Sequence, residues 1–287
     1  MGVINRQDIH ILKYCSSFVS VSGGEVFYIT DPKVSFCPLA KHFYNGIIGK
    51  VFDKEGIKKA IKEIIEFKIR KYGFFTANRR FEFHEAQVPY GASEMLMFAL
   101  KNKVIDAAVV VCDGAGTVIT DSDKIVQGIG ARLRNIVITS PLPSIIEKLK
   151  FLGCKILSRN AVIDQFSGVK KAAELGYKTI GVTIDGDSAR NLERLKDIEK
   201  QYNVSVISLV VCTTGVKKET VKKIKEYADL VWSCLSDEIH RMIAPYAKLQ
   251  LSKLMPVFAI SDIGVNFAFD YHSAGKNNRQ DLIRLAK

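Results

Sequence analysis

From Asp106 onward, short continuous apolar runs alternate with segments whose apolar residues recur at three- and four-residue spacing. The continuous runs are typical of strands buried on both faces of a sheet, and the second spacing predicts amphipathic helices. Their alternation predicts a parallel sheet covered by helices. The predicted strands are residues 107–112, 135–138, 155–157, 179–184, 204–211, 230–233 and 257–260, and the predicted helices are 144–152, 167–175, 188–201, 218–227 and 237–244.

The first hundred residues have a different pattern. Hairpin-like sequence surrounds Gly23 and Gly24, Pro38 marks a turn, and a basic amphipathic helix is predicted over Lys54–Tyr72. We therefore expect an α/β protein with a smaller N-terminal α+β portion over residues 1–103. A Rossmann-like domain over residues 104–287 would follow it, with a mostly parallel sheet and helices on both faces.

The composition is that of an ordinary globular protein, with 47% hydrophobic and 25% charged residues among 287. No apolar run approaches the roughly 18 residues that span a bilayer, and the N-terminus lacks the apolar core of a secretory signal. We expect a cytoplasmic protein with no membrane partner. The net charge of +12 suits an anionic ligand, but its lysines lie on predicted helix faces beside Glu219 and Glu226, so no nucleic-acid partner is predicted.

The six cysteines are scattered and form no C-x-x-C motif, and no two histidines have the i, i+4 spacing of a helical metal site. We therefore predict that the thiols are reduced and that the protein binds no metal. Cys112, Cys212 and Cys234 end predicted strands, where a small, weakly polar side chain suits the edge of a core. This structural role is favoured over a role as a catalytic nucleophile.

Three buried strands run into short polar turns that are each predicted to lead into a helix. In a parallel sheet such turns meet at one edge, where ligands bind. Glycine allows a ligand to approach the backbone, free N–H groups attract negative charge, and Thr or Asp side chains hold ribose hydroxyls. The predicted cofactor-binding residues are Asp113, Gly114, Ala115, Gly116 and Thr117 in the first turn, Asp185 in the second, and Thr213 and Gly215 in the third.

The first turn is not a complete nucleotide motif. The third glycine of a dinucleotide fingerprint would fall at Ile119, and no Gly-Lys-Ser/Thr follows as in a P-loop. An acid directly before Gly-Ala-Gly is similar to the glycine loop of S-adenosylmethionine-dependent methyltransferases, with its last glycine missing. His84, which lies beside Glu85, is a separate candidate for a general base. The same segment also suits a surface strand of alternating aromatic and charged residues.

Several segments together resemble an archaeal family known as methanogenesis marker protein 8 and its relatives. The resemblance runs from about Gly23 to Ile260, and its specific part is VVVCDGAGTVIT followed by VQGIG. The other segments are residues 91–94, 139–143, 164–165 and 212–216.

This group includes the C-methyltransferase that uses S-adenosylmethionine to methylate a pyridinol ring during assembly of the iron-guanylylpyridinol cofactor of [Fe]-hydrogenase. The resemblance implies that activity, a Rossmann-like fold, a homodimer, and an adenosylmethionine bound across strand ends. A hydroxypyridinol becomes nucleophilic at carbon once its hydroxyl loses a proton, so the enzyme must align the ring and stabilise an oxyanion.

For that chemistry we expect distributed polar groups, with Thr183 and Thr214 as catalytic residues and His84 as the alternative base. Arg132 and Arg134 are candidate partners of a substrate carboxylate, although solvated surface charge is the favoured interpretation of both. Two other functions stay open. One is a ligand-binding or assembly protein like marker protein 8, and the other is an NAD-linked oxidoreductase, which depends on fold analogy alone.

Overall fold

The computed structural model describes residues 8–14, 16–33, 53–131, 135–274 and 282–284. These residues form a nine-stranded sheet with helices on both faces and a separate four-stranded antiparallel sheet. The predicted fold class, an α/β Rossmann-like architecture with a smaller N-terminal α+β portion, is confirmed.

The smaller sheet has the strand order β3-β2-β1-β6. Its strands are β1 (His10–Tyr14), β2 (Ser17–Ser22), β3 (Glu25–Ile29) and β6 (Ile136–Thr139). The alternating burial of β1 and β2 places Leu12, Val19 and Val21 on the inner face. This sheet therefore has one packed face, as expected for antiparallel strands.

The larger sheet has the order β13-β11-β12-β10-β9-β8-β4-β5-β7. Its strands are β4 (Ala107–Cys112), β5 (Gly116–Thr120), β7 (Lys155–Ile156), β8 (Thr179–Asp185), β9 (Ser205–Val211), β10 (Leu230–Trp232), β11 (Leu249–Leu251), β12 (Val257–Ala259) and β13 (Leu282–Arg284). The four central strands, β4, β8, β9 and β10, are mutually parallel. With β7 and β11 they make six of these nine strands run in one direction, and antiparallel pairs build both flanks.

Helices cover both faces of the larger sheet. They are α1 (Lys54–Tyr72), α2 (Ala92–Lys101), α3 (Asp123–Gly130), α4 (Pro143–Phe151), α5 (Gln165–Glu174), α6 (Glu193–Tyr202), α7 (Lys218–Tyr227), α8 (Asp237–Met242) and α9 (Asp262–Ala274). Helices α1 to α4 and α9 share one core, and α5 to α8 share the other. In the described part of the chain, no helix is both long enough and apolar enough to cross a bilayer.

Local sequence explains where the predicted elements begin and end. Helix α1 has the predicted bounds, because the Asp53 side chain accepts a hydrogen bond from Gly56 N at 2.7 Å and Gly73 ends the last turn. Its apolar stripe, which includes Ile61 and Ile64, is fully buried. Strand β4 also has the predicted bounds, since its run of small and β-branched residues is buried on both faces.

One predicted strand joins the wrong sheet. Residues 135–138 were expected in the parallel sheet, but β6 pairs antiparallel with β1, with His10 opposite Thr139. Val137 and Ile138 are exposed, so this apolar run is not buried on both faces. The chain thus returns to the smaller sheet after the predicted boundary at 103, and residues from both sides of that boundary share one core.

Candidate functional site

A cavity of about 210 Å³ lies at the carboxyl ends of the four central parallel strands. Each of these strands contributes to its wall, together with the start of α2, the end of α3 and residues that include Ile136, Gln165 and Met255. The strand residues are Val110 and Val111 of β4, Thr183 and Asp185 of β8, Val211 and Cys212 at the end of β9, and Trp232 and Cys234 at the end of β10. Ligands of open α/β sheets bind at this edge.

The glycine turn after β4 has a different structure from the predicted one. It is the turn of an antiparallel hairpin, in which Cys112 pairs with Gly116 and Val111 with Thr117, and not a strand–turn–helix unit. The positive φ angles of Gly114 and Gly116, 72° and 70°, reverse the chain within this short turn. The prediction of a helix after this turn was wrong because the turn residues do not specify which element follows.

The backbone groups of this hairpin are satisfied by the protein. Gly114 N donates to Thr139 Oγ1 at 2.7 Å, and Gly114 O accepts from Leu142 N at 2.8 Å. Thr117 N donates to Val162 O at 2.9 Å. Ala115 is buried, and a Cβ on Gly116 would overlap the backbone of Ala161. The predicted cofactor-binding residues 113–117 are therefore packed against protein and are absent from the cavity wall.

Asp113 has a structural partner. Its Oδ1 accepts from Arg79 Nε at 3.0 Å and its Oδ2 accepts from Phe75 N at 2.7 Å, and both charged side chains are 0% exposed. Arg79 also donates to Gly128 O at 2.9 Å. This buried ion pair ties the hairpin to the segment that follows α1 and to helix α3.

Two predicted strand-end residues, Thr183 and Asp185, do line the cavity. Asp185 Oδ1 accepts from Asp187 N at 2.9 Å and from Ser188 N at 3.1 Å, which fixes the turn that follows β8. No described residue donates to its other oxygen. Gln165 Nε2 donates to the Thr183 carbonyl at 3.3 Å, so α5 is held against β8 beside the cavity.

The third turn stands behind the cavity wall. Thr213 is fully buried and its hydroxyl donates to Trp232 O at 2.7 Å, while Thr214 Oγ1 accepts from Leu235 N at 3.3 Å. Gly215 has φ 78° and open space where a Cβ would lie. Thr213 and Thr214 hold the ends of β9 and β10 together, and none of the three residues is among the wall residues.

Glu94 is a wall residue that sequence reasoning did not single out. It lies in the first turn of α2, is 2% exposed, and lines the cavity. Its Oε1 accepts from Gln87 N at 3.0 Å, Val88 N at 3.3 Å and Gln127 Nε2 at 3.2 Å. Burial raises the pKa of this carboxyl, and these hydrogen bonds oppose the rise.

The second oxygen of Glu94 has fewer partners. No other described residue donates to Oε2, which lies against Gly91 so closely that a Cβ there would overlap it, and the backbone N–H of Glu94 itself also donates to the carboxyl. Gly91 also lines the cavity. A buried carboxyl at a cavity wall can accept or donate a proton. An acid three residues after a helix N-cap also suits a capping interaction, so the sequence pattern alone does not reveal this position.

His84 lies on the surface, in an irregular segment, and does not line the cavity. It is not placed to act as a base there, and the expected regular surface strand is not formed either. Arg132 and Arg134 lie outside the described residues, between Ala131 and Asn135, which both line the cavity. No three His, Cys, Asp or Glu side chains group as a metal site within the described ranges.

Comparison with known proteins assigns the chain to a family. Residues 10–271 match the model of a family described as an uncharacterized protein conserved in archaea (DUF2099). The chain is also 43% identical over 248 residues to an uncharacterized protein of Methanocaldococcus jannaschii, and this match covers 86% of the chain and 84% of the relative. The family match includes the four central parallel strands and the whole cavity wall. The chain therefore belongs to this conserved archaeal family.

Proposed function

We propose that the cavity binds S-adenosylmethionine and that the protein is a C-methyltransferase acting on a hydroxypyridinol. The observation that carries the proposal is a strand-end cavity whose wall contains the buried carboxyl of Glu94, whose Oε2 accepts from no other described residue. The resemblance to the methyltransferase relatives of marker protein 8 supplies the reaction. When bound, the adenosylmethionine would supply an electrophilic methyl group.

The wall chemistry suits such a pair of ligands. The free carboxylate oxygen of Asp185 and the hydroxyl of Thr183 are groups that bind ribose hydroxyls. Val110, Val111 and Trp232 offer apolar surface to a flat ring. The polar groups would fix the orientation and the apolar groups would exclude water, which is how small-molecule pockets commonly divide their work.

Glu94 takes the proton-handling role in this proposal. Its Oε2 would accept the hydroxyl proton of the ring, which makes the ring carbon nucleophilic towards the methyl group. An adenosylmethionine held at Asp185 and Thr183 would supply the methyl group for that carbon and would be released as S-adenosylhomocysteine. Loss of the proton from the methylated carbon restores the aromatic ring. Burial raises the pKa of the Glu94 carboxyl, which makes it a stronger base than an exposed carboxylate.

Calorimetric titration of the purified chain with S-adenosylhomocysteine and with NAD tests the binding step. Micromolar or tighter binding of the adenosyl compound, with no NAD binding, is the expected result. Binding of NAD alone would favour the oxidoreductase, and binding of neither would favour the ligand-binding or assembly alternative.

Glu94→Gln tests the catalytic step. The variant keeps an acceptor oxygen but loses the base, so turnover should fall by about 10²- to 10⁴-fold while S-adenosylhomocysteine affinity stays unchanged. The acidic limb of the pH–rate profile should also disappear. His84→Ala is the matched control and should leave turnover unchanged, because His84 lies outside the cavity. An active Glu94→Gln variant would remove Glu94 from the mechanism.

A further inference from the structure

The cavity wall contains two cysteines at the ends of neighbouring parallel strands. Cys212 follows β9 and Cys234 lies two residues after β10, and both are partly exposed to the cavity. Both also have left-handed backbones, with φ 56° and 47°, which non-glycine residues adopt at an energetic cost. The fold thus holds two thiols at one edge of one cavity.

The hydrogen bonds around the two cysteines keep the strand ends together. Strand β10 pairs parallel with β9, with Val231 opposite Val210. Beyond the strand ends, the Thr213 hydroxyl donates to Ser233 O at 3.0 Å, and Leu235 N donates to Thr214 Oγ1 at 3.3 Å. These bonds join the residues next to the two cysteines, and both cysteines line the same cavity.

The other two described cysteines, Cys112 and Cys154, lie outside the cavity wall. Burial raises the pKa of the Cys112 thiol well above its ordinary value, and the nearby Asp113 carboxylate raises it further. Burial also raises the pKa of Cys154. Because metals bind the thiolate form of cysteine, these two positions are unsuited to a metal ion.

We infer that Cys212 and Cys234 form a two-thiol site that binds a thiophilic metal ion in the cavity wall. Thiolates are soft ligands and prefer ions such as Zn²⁺ or Cu⁺ to Mg²⁺ or Ca²⁺. Binding releases two protons to solvent, and the two thiolate charges balance a divalent ion. The described part of the chain offers no third metal ligand grouped with them. The remaining coordination positions are therefore open to whatever occupies the cavity.

Cd²⁺ titration of the reduced full-length chain tests this site without any adenosyl compound, so its outcome is separate from that of the proposed function. The titration uses a Cys15→Ser/Cys37→Ser background, since those two cysteines lie outside the described residues. We expect one Cd²⁺ per chain with a thiolate-to-metal absorption band. Zn²⁺ should displace the Cd²⁺, whereas excess Mg²⁺ should not.

Cys212→Ser and Cys234→Ser should each weaken Cd²⁺ binding by more than about tenfold. Loss of a residue that only orients a metal ligand already lowers metal affinity by about that factor, and here a ligand itself is removed. Cys154→Ser is the matched control and should bind normally. Alkylation mapped by mass spectrometry gives a second measurement on the unmutated thiols. Bound Cd²⁺ should protect Cys212 and Cys234 together. An absent band, a band that survives both substitutions, or unprotected thiols would overturn the inference.

Discussion

The turn after β4 and the strand ends at β8 and β9 look alike in sequence, yet the structure uses them differently. Both combine glycine with Asp or Thr after a buried strand. Residues 113–117 close a hairpin and are buried, whereas Asp185 and Cys212 border an open cavity. The difference comes from the next element, because a returning strand and its neighbours pack against residues 113–117 and bond their backbone. Composition alone does not distinguish the two.

The largest expected effect is that of Asp113→Ala. Removal of this carboxylate leaves the Arg79 guanidinium buried without its partner, which typically costs about 3–5 kcal/mol in the free energy of unfolding. Asp185→Ala at the cavity edge should cost only about 0.5–2 kcal/mol, the value of a capping side chain. Urea unfolding of both variants measures the contrast. Equal losses in the free energy of unfolding would contradict this difference between the two strand ends.

Gly116→Ala and Gly215→Ala form a second matched pair. The two glycines have similar φ angles, 70° and 78°, so both substitutions carry the left-handed cost of about 1–2 kcal/mol. Only the Gly116 methyl group would overlap a backbone, that of Ala161, which should add about 1–3 kcal/mol. Chemical denaturation gives both values. A Gly215 variant as unstable as the Gly116 variant would contradict the open space seen at Gly215.

The burial of Glu94 in the cavity wall predicts that the free energy of unfolding depends on pH. Burial raises its pKa, so the folded protein holds this proton more tightly than the unfolded chain does. Its contribution to the free energy of unfolding is therefore full below the ordinary pKa of 4.5 and is lost as the pH rises through the raised value. Glu94→Gln removes the titration. Unfolding of both proteins across this range should show the wild type losing stability relative to the variant, and parallel curves would refute the shift.

The smallest expected effect separates two threonines. Thr183→Val removes a hydroxyl from the cavity wall and should weaken S-adenosylhomocysteine binding by about 2- to 12-fold, the value of one hydrogen bond. Thr214→Val removes the acceptor of Leu235 N behind the wall, so it should lower stability without changing affinity. Calorimetry combined with thermal unfolding measures both quantities. A loss of affinity in the Thr214 variant would extend the site to the third turn.

Much of the central fold was predictable because its strands have a simple pattern. Strands β4, β8 and β9 are continuous apolar runs and were placed to within one residue of their bounds. Strands β11 and β13 were not predicted, since a three-residue strand leaves little periodic signal. Helix α9 was also missed, and its apolar residues are not confined to a clear stripe.

The candidate site was predictable only in part. Thr183 and Asp185 were identified because they end a buried parallel strand, and such ends meet at one edge of a sheet. Glu94 was missed because it comes from a helix start far from those strands in sequence. Its burial depends on contacts with Gln127, Val88 and Gly91, and these contacts exist only once α2 packs against α3.

The sequence by itself determined the fold class, the central strands and the edge of the sheet at which a ligand would bind. Those features follow from apolar periodicity and from the direction of parallel strands, which are local properties of the chain. Only the tertiary structure decided which polar turn opens on the cavity, which sheet received β6, and which cysteines lie together. The reason is physical. Burial, charge pairing and access to a cavity depend on neighbours that are distant in sequence, and no local pattern specifies them.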